Sequence, residues 1–228
     1  MRIVALETTE RVGGVAALVD GDVAEQLQLN PDQRSAQSLA PAVRQLLRTL
    51  AWRAADVDLV AVAAGPGSFT GLRVGVTTAK TFAYATGAQV LGLNTLEVIA
   101  AEAPPSVAAI CVVMDAQREQ VFSGRLARDD TGRFQWREET RVVDVQAWLA
   151  GLGGGEVVAG PGLVKLAGRL PPQVTALEEH LWAPRAATVG RLAFEHHRAG
   201  RRDDLWQLVP QYFRKSAAEE KWEQRQSP

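Results

Sequence analysis

The apolar run 60–64 leads straight into Gly65-Pro66-Gly67-Ser68-Phe69-Thr70-Gly71-Leu72-Arg73, and this corner constrains the chain more than any other stretch. A short apolar run of this kind reads as a buried strand. Pro66 removes a backbone donor and fixes φ, while the glycines beside it can take φ > 0, so the strand stops sharply. Ser68 or Thr70 supplies an N-cap oxygen for a helix reaching about Ala85. Along that helix Gly71, Gly75, Ala79 and Ala83 recur every fourth position, with Gly87 just past the end, so one face is almost bare of side chains. Each interior glycine costs about 1 kcal/mol of helix propensity. Close packing must compensate, and another helix or a ligand is expected to supply it.

Neither familiar phosphate loop fits the corner. A Walker A loop needs Lys and then Ser or Thr after its second glycine, whereas Leu72 and Arg73 follow Gly71. A dinucleotide fingerprint needs a glycine three residues after Gly67, and Thr70 stands there. Amides at the helix start can still bind an anion. Taken alone, the corner reads first as structural.

The 228 residues suffice for one large domain or two lobes. A net charge of -1 creates no field for a polyanion, so a nucleic-acid partner needs a local patch or a second protein to hold it. Cys111, the single cysteine, lies in the apolar run 107–114 and reads as a buried thiol suited to a reducing cytosol. No apolar run approaches twenty residues and no leader pattern precedes the first strand, so a cytoplasmic protein without a membrane span is expected. His180, His196 and His197 are the only histidines. The adjacent pair points to different helix faces and builds no metal site, and none is expected.

Apolar runs at 3–6, 14–19 and 23–29, the last two joined by Asp20-Gly21, predict three antiparallel strands. A helix follows Pro31 with Leu39, Val43, Leu46, Leu47 and Leu50 on one face, and Pro41 belongs near its first turn or marks a kink. Then come a strand at 59–64, the corner helix, a strand at 90–93 and a helix at 94–102. Ala103-Pro104-Pro105-Ser106 reads as a boundary, giving units 1–104 and 105–228, the second with C-terminal helices that pack back on the first. The order then restarts. A strand at 107–114 ends in Asp115 as the first strand ends in Glu7. Strands at 120–127 and 134–143 flank Asp129-Asp130-Thr131-Gly132, and a short helix at 145–149 follows. Val157-Val158-Ala159-Gly160-Pro161-Gly162 repeats the corner and is expected to lead into a helix. The repeat predicts an α/β protein of two tandem lobes, each a mixed sheet with flanking helices. Glu7 and Asp115 then face one central cleft, where two carboxylates can hold a magnesium-bound phosphate or activate a water. Solvated strand ends are the plainer reading.

A duplicated lobe of this order resembles the actin, Hsp70 and sugar-kinase (ASKHA) superfold. Four stretches narrow it: Ile3-Val4-Ala5-Leu6-Glu7-Thr8-Thr9, the corner 65–73, Asp115-Ala116-Gln117-Arg118-Glu119-Gln120-Val121 and Pro210-Gln211-Tyr212-Phe213-Arg214-Lys215. Together they resemble the TsaB (YeaZ) family, over nearly the whole chain. The resemblance implies a non-catalytic partner in the bacterial machinery that places threonylcarbamoyl on N6 of the adenosine next to the anticodon, in tRNAs reading codons that start with A. It implies binding to a TsaD-type transferase through first-lobe helices, a TsaE-type ATPase joining, tRNA reached through the complex, and homodimers as a further state. ATP and magnesium would be used by the complex and no cofactor by the isolated chain. The contact would fall on Leu39, Val43, Leu46, Gly71, Arg73, Gly75, Thr78, Ala79 and Phe82. A nucleotide or anion cleft would use Glu7, Thr8, Gly65, Gly67, Ser68 and Asp115.

The residues themselves support the partner role. No histidine precedes His180, so the metal-binding pair of TsaD-like chains has no counterpart, and the turns after Glu7 and Asp115 lack the glycines of kinase phosphate loops. The chain also departs from the family pattern at Glu7, where Asp is usual, and around Ser35, where His is often found. An independent ATP-dependent transferase or phosphatase using Glu7 and Asp115 is the alternative. A peptidase is not supported, because no histidine is placed beside Ser68. Arg73 reads as an anion or partner contact, and Phe69 as a plug between strand and helix. The tail 219–225, with Trp222, is either a solvated helix end or a docking segment.

Overall fold

The structure is a computed structural model that describes residues 1–214, so Lys215 and the tail with Trp222 lie outside the described residues. The first half comprises β1 (Arg2–Glu7), β2 (Gly14–Val19), β3 (Asp22–Gln28), α1 (Ser35–Thr49), β4 (Leu59–Gly65), α2 (Phe69–Thr86), β5 (Gln89–Asn94) and α3 (Thr95–Ala100). The second comprises β6 (Ala109–Asp115), β7 (Gln120–Arg128), β8 (Phe134–Asp144), α4 (Val145–Ala150), β9 (Val157–Ala159), α5 (Leu163–Leu166), β10 (Thr175–Ala176) and α6 (Ala186–Arg198).

The two sheets run β3-β2-β1-β4-β5 and β10-β9-β6-β7-β8. Read from β8, the second repeats the first: an antiparallel meander of three strands, then parallel strands beside the meander's first. Burial explains which strand sits where. All seven residues of β4 are buried, as an apolar run in the middle of a covered sheet must be, whereas β3 and β8 alternate and lie at the edges. Asp20 (φ 53°) and Gly21 (φ 94°) turn β2 into β3 with both central residues left-handed, the twist a two-residue hairpin requires.

Each sheet is covered on both faces. Leu39, Val43, Leu46 and Leu47 of α1 and Val76, Ala79 and Ala83 of α2 bury one face of the first sheet against Val4, Leu6, Val60 and Val62. On the other face α6 brings Ala186, Ala187, Val189 and Ala193 against Ile3, Ala5, Ala16 and Leu18. Gly190 belongs to the same contact, since a Cβ there would overlap Leu18. Leu96 and Ile99 of α3 join the core of the second sheet, while Val98 joins that of the first, so this one helix is shared. Cys111 is fully buried with Sγ 3.4 Å from Ser123 Oγ, and burial pushes its thiol pKa up, which keeps it protonated. Among the described residues no helix is long and apolar enough to cross a membrane.

Two expectations change. Pro41 lies inside α1, at the seventh position with its ring exposed, so of its two readings the one near the first turn falls and the kink is left. The second Gly-Pro-Gly leads only into the single turn of α5, against eighteen residues in α2. Pro171 and Pro172 soon follow and forbid continuation.

The small-residue stripe of α2 is also not a face left for another helix or a ligand. Ser68 caps the helix, accepting from Gly71 N at 3.3 Å, and Thr8 Oγ1 donates to the Gly71 carbonyl at 2.8 Å. A Cβ at Gly71 would overlap the Thr8 carbonyl oxygen, and one at Gly75 would overlap Thr8 Oγ1. At Gly67 a Cβ would come within 2.5 Å of Thr9 Cβ. The partner that compensates these glycines is the chain's own turn after β1. Gly87 stands apart: it is the left-handed C-cap (φ 77°) with open space around it. Gly71→Ala should therefore cost about 3 kcal/mol through overpacking, against about 1 kcal/mol for Gly87→Ala through left-handed strain alone. Urea unfolding of the two variants measures the difference, and equal losses would show that the notch does not matter.

Candidate functional site

The turn after β1 and the corner form one wall of a cleft between the lobes, with a cavity of about 650 Å³. Gly67, Ser68 and Asp115 line it, joined by Glu10, Arg118, Phe122 and Tyr212. The opposite wall includes Gln117 (φ 62°) and Arg118 (φ 52°), which with Glu119 (φ 55°) make three successive non-glycine residues in the left-handed region.

Glu7 is neither in that cleft nor a solvated strand end. It is 1% exposed, and its Oε1 accepts from Thr9 N at 2.5 Å and Thr9 Oγ1 at 2.6 Å. Burial pushes its carboxyl up to about 7, against the opposing pull of the Thr9 hydrogen bonds. Thr8 is buried and committed to Gly71, and Gly65 is buried beneath the carbonyl of Gln211. Asp115 is exposed, ion-paired with Lys165 Nζ, and accepts from Gln117 N at 2.7 Å. The acid that actually lines the cleft is Glu10, which sequence reasoning missed. Burial first, and then the negative charge of Asp115, push it up to about 7. A lone carboxylate three residues past a strand carries no pattern that would mark it.

Little of the turn after β1 is left free to meet a phosphate. The turn that would approach the phosphates is clamped: Ser68 N donates to the Thr9 carbonyl at 2.7 Å, and Gly71 N is taken by the cap. The amides at the start of α2 are thus partly satisfied within the chain. Among the described residues no three His, Cys, Asp or Glu side chains share a position that could hold a metal ion.

A second concave feature, about 370 Å³, lies between α1 and α2. Val43, Leu47, Trp52, Thr78 and Phe82 form its apolar floor and sides, with Ala40, Arg44 and Arg48 at the rim. Of the predicted contact residues, Val43, Thr78 and Phe82 are here. Leu39, Leu46, Gly71, Gly75 and Ala79 are buried in the first lobe and present no surface. Arg73 is exposed outside the groove, its guanidinium 4.2 Å over the Phe69 ring and its Nε donating to Tyr212 Oη at 3.0 Å. Phe69 stacks on Tyr212 at 4.4 Å, so it is not a plug between strand and helix. Trp52 was missed because it falls beyond the helical period, past the end of α1; Arg44 and Arg48 were legible only as the polar side of that helix.

Two mixed sheets of this repeated order around a cleft define the two-lobed ASKHA class. An activator of 2-hydroxyisocaproyl-CoA dehydratase from Clostridium difficile shows the same fold at a TM-score of 0.51 and 10% identity, covering 88% of this chain and 97% of that one. The family model described as "TsaD: tRNA N6-adenosine threonylcarbamoyltransferase" matches residues 30–153, more than half of the chain. The "tRNA threonylcarbamoyladenosine biosynthesis protein TsaB" of Bacillus subtilis is 35% identical over 125 residues, 54% of each chain. Its Escherichia coli namesake is 31% identical over 145 residues, 63% of this chain and 62% of that protein. The matched stretches thus span between half and two thirds of these curated relatives. YeaZ from Pseudomonas aeruginosa superposes with a TM-score of 0.81 at 25% identity, covering 92% of this chain and 99% of that one. The chain belongs to the family of the model that matches residues 30–153, and its homology lies with the TsaB (YeaZ) proteins.

The raised pKa of Glu7 has a definite sign for stability. The folded state holds the proton more tightly than the unfolded chain, so this contribution is greatest below about pH 4.5 and is lost as pH rises toward about 7. Relative to Glu7→Gln, which cannot ionise, the native chain should lose about 2 kcal/mol between roughly pH 5 and 7.5. Urea midpoints across that range check it; parallel curves for the two proteins would refute a protonated Glu7.

Proposed function

We propose that this chain is a non-catalytic partner subunit of the machinery that adds threonylcarbamoyl to N6 of the adenosine next to the anticodon in tRNAs reading A-starting codons. It acts by binding and activating a TsaD-type transferase. The observation that carries this reading is the homology to proteins named for threonylcarbamoyladenosine biosynthesis. Two features of the chain support it. The groove between α1 and α2 offers apolar area and an aromatic at each side, Trp52 and Phe82, inside a basic rim, which is the composition of a binding hot spot. The carboxylate at the end of β1, by contrast, is sealed beneath its own turn.

On this reading the first lobe, residues 1–104, carries the contact through Val43, Leu47, Trp52, Thr78 and Phe82, and residues 105–228 make up the second unit, of which α6 packs back on the first sheet. A TsaE-type ATPase joins the assembly, tRNA is reached through the complex, and ATP and magnesium are used there rather than by the isolated chain. A homodimer through the same groove is the resting alternative, and the setting is cytoplasmic.

The test is threonine-dependent modification of an A-codon-reading tRNA by purified TsaD-, TsaE- and TsaC-type proteins, with and without this chain. Omission should abolish multiple-turnover modification, while Asp115→Asn should restore it. Phe82→Glu should weaken copurification with the TsaD-type protein by tenfold or more, roughly the loss of one hot-spot contact. Unchanged modification without the chain would sink the partner role. Failure of Asp115→Asn to support turnover, with partner binding intact, would return the cleft to chemistry.

A further inference from the structure

Two parts of the sequence are left without a role by that reading: Phe69 and Arg73 of the corner, and the residues around Tyr212. In the structure they meet. After α6 the chain runs back over the first lobe, where Arg201 Nη2 donates to the Gly92 carbonyl at 2.6 Å and Gly92 N donates to Asp203 Oδ2 at 2.9 Å. Lys80 Nζ then holds the carbonyls of Trp206 and Leu208 at 3.2 and 2.9 Å, and the Leu208 side chain is buried. Gln211 N donates to the Ala64 carbonyl at 2.7 Å, at the very end of β4. Gly65, with φ 133° and no Cβ, leaves room for the Gln211 carbonyl.

From there, successive residues part company. Tyr212 goes to the first lobe: it stacks on Phe69 (4.4 Å between centroids, 24° between planes) and accepts from Arg73 Nε at 3.0 Å. Phe213 goes to the second lobe, where it meets Phe122 of β7 edge-on at 6.4 Å. Arg214 Nη1 donates to the Ala116 carbonyl at 2.5 Å, also in the second lobe. Neighbouring side chains that diverge in this way can grip two bodies at once.

We propose that residues 211–214 are an interlobe latch, a strap across the cleft whose adjacent side chains hold the two lobes at one opening. Two-lobed folds of this kind move by hinge closure. Here the connection through α3 has its own ties, with His196 Nε2 of α6 2.7 Å from Glu97 Oε1 of α3, and Arg185 Nη1 just before α6 3.6 Å from Glu102 Oε2 just after α3. With the strap in place, the lobes are joined at a second place besides the connection through α3. The latch does not depend on which partner the chain serves.

The test uses the full-length chain with spin labels on cysteines introduced at Gln26 of β3 and Arg137 of β8, both exposed on the outer strands of the two sheets; Cys111 is buried. Pulsed-dipolar measurement should give one narrow distance distribution for the native chain. In Tyr212→Ala/Phe213→Ala the distribution should widen, and the Gln211 amide should exchange about tenfold faster, the scale expected for losing an aromatic pair. Tyr212→Phe, which keeps the stack and loses only the Arg73 bond, should stay narrow. A double variant whose distances superimpose on the native ones overturns the latch. If that variant does not fold, Phe213→Ala alone frees the second-lobe end, and the same widening or superposition decides.

Discussion

Thr8 and Thr9 leave β1 and press into the start of α2, where the missing Cβ atoms of Gly67, Gly71 and Gly75 make room for them. Hydrogen bonds close the notch: Thr8 Oγ1 to the Gly71 carbonyl and Ser68 N to the Thr9 carbonyl. Because β1 and β4 are parallel neighbours, this one contact sets how the corner leaves the sheet and where α2 lies over it. It also fixes the groove, since Thr78 and Phe82 follow Gly71 and Gly75 along the same helix and face α1. A helix that tolerates two interior glycines for about 1 kcal/mol each does so because no other residue admits the turn.

The same contact changes what the cleft can do. Free backbone amides at a turn that meets a helix start are where phosphate oxygens can bind. Here the turn's own carbonyl takes the Ser68 amide, and the acid at the end of the strand is folded under it with Thr9 as its partner. A carboxyl held near 7 by burial is a poor metal ligand at neutral pH and a costly charge to create. Glu10, raised by burial and by Asp115, faces the cavity instead. The chemistry left to the cleft is that of a polar cavity with aromatic edges.

Much of the architecture was legible because it rests on local rules. The apolar runs, the Asp20-Gly21 hairpin, the Ser68 cap and the recurrence of Gly-Pro-Gly each act within a few residues, and the two sheets repeat as their spacing implied. What failed did so for tertiary reasons. A stripe at Gly71, Gly75 and Ala79 says that something packs closely, but not whether it comes from outside or from residue 8 of the same chain. Leu39 and Leu46 share a face with Val43, yet only Val43 reaches the groove, because the sheet takes the middle of that face. Glu7 and Asp115 hold equivalent places at the ends of β1 and β6. One is buried and the other exposed because only the first is followed by a turn that docks on a glycine notch.

That asymmetry extends through the duplication. In the second lobe the turn after β6 is left-handed and exposed, and the Gly-Pro-Gly after β9 packs on Val113 rather than on a turn. Its helix is one turn long where the first lobe's runs to eighteen residues. A long helix is needed only where a surface must be presented beside another, as α2 is beside α1. The second lobe instead supplies Phe122 and the Ala116 carbonyl, the points on which the strap ends. Duplicated lobes that keep one topology have thus divided the work: the first carries the groove and the notch that supports it, and the second gives the strap its far anchor.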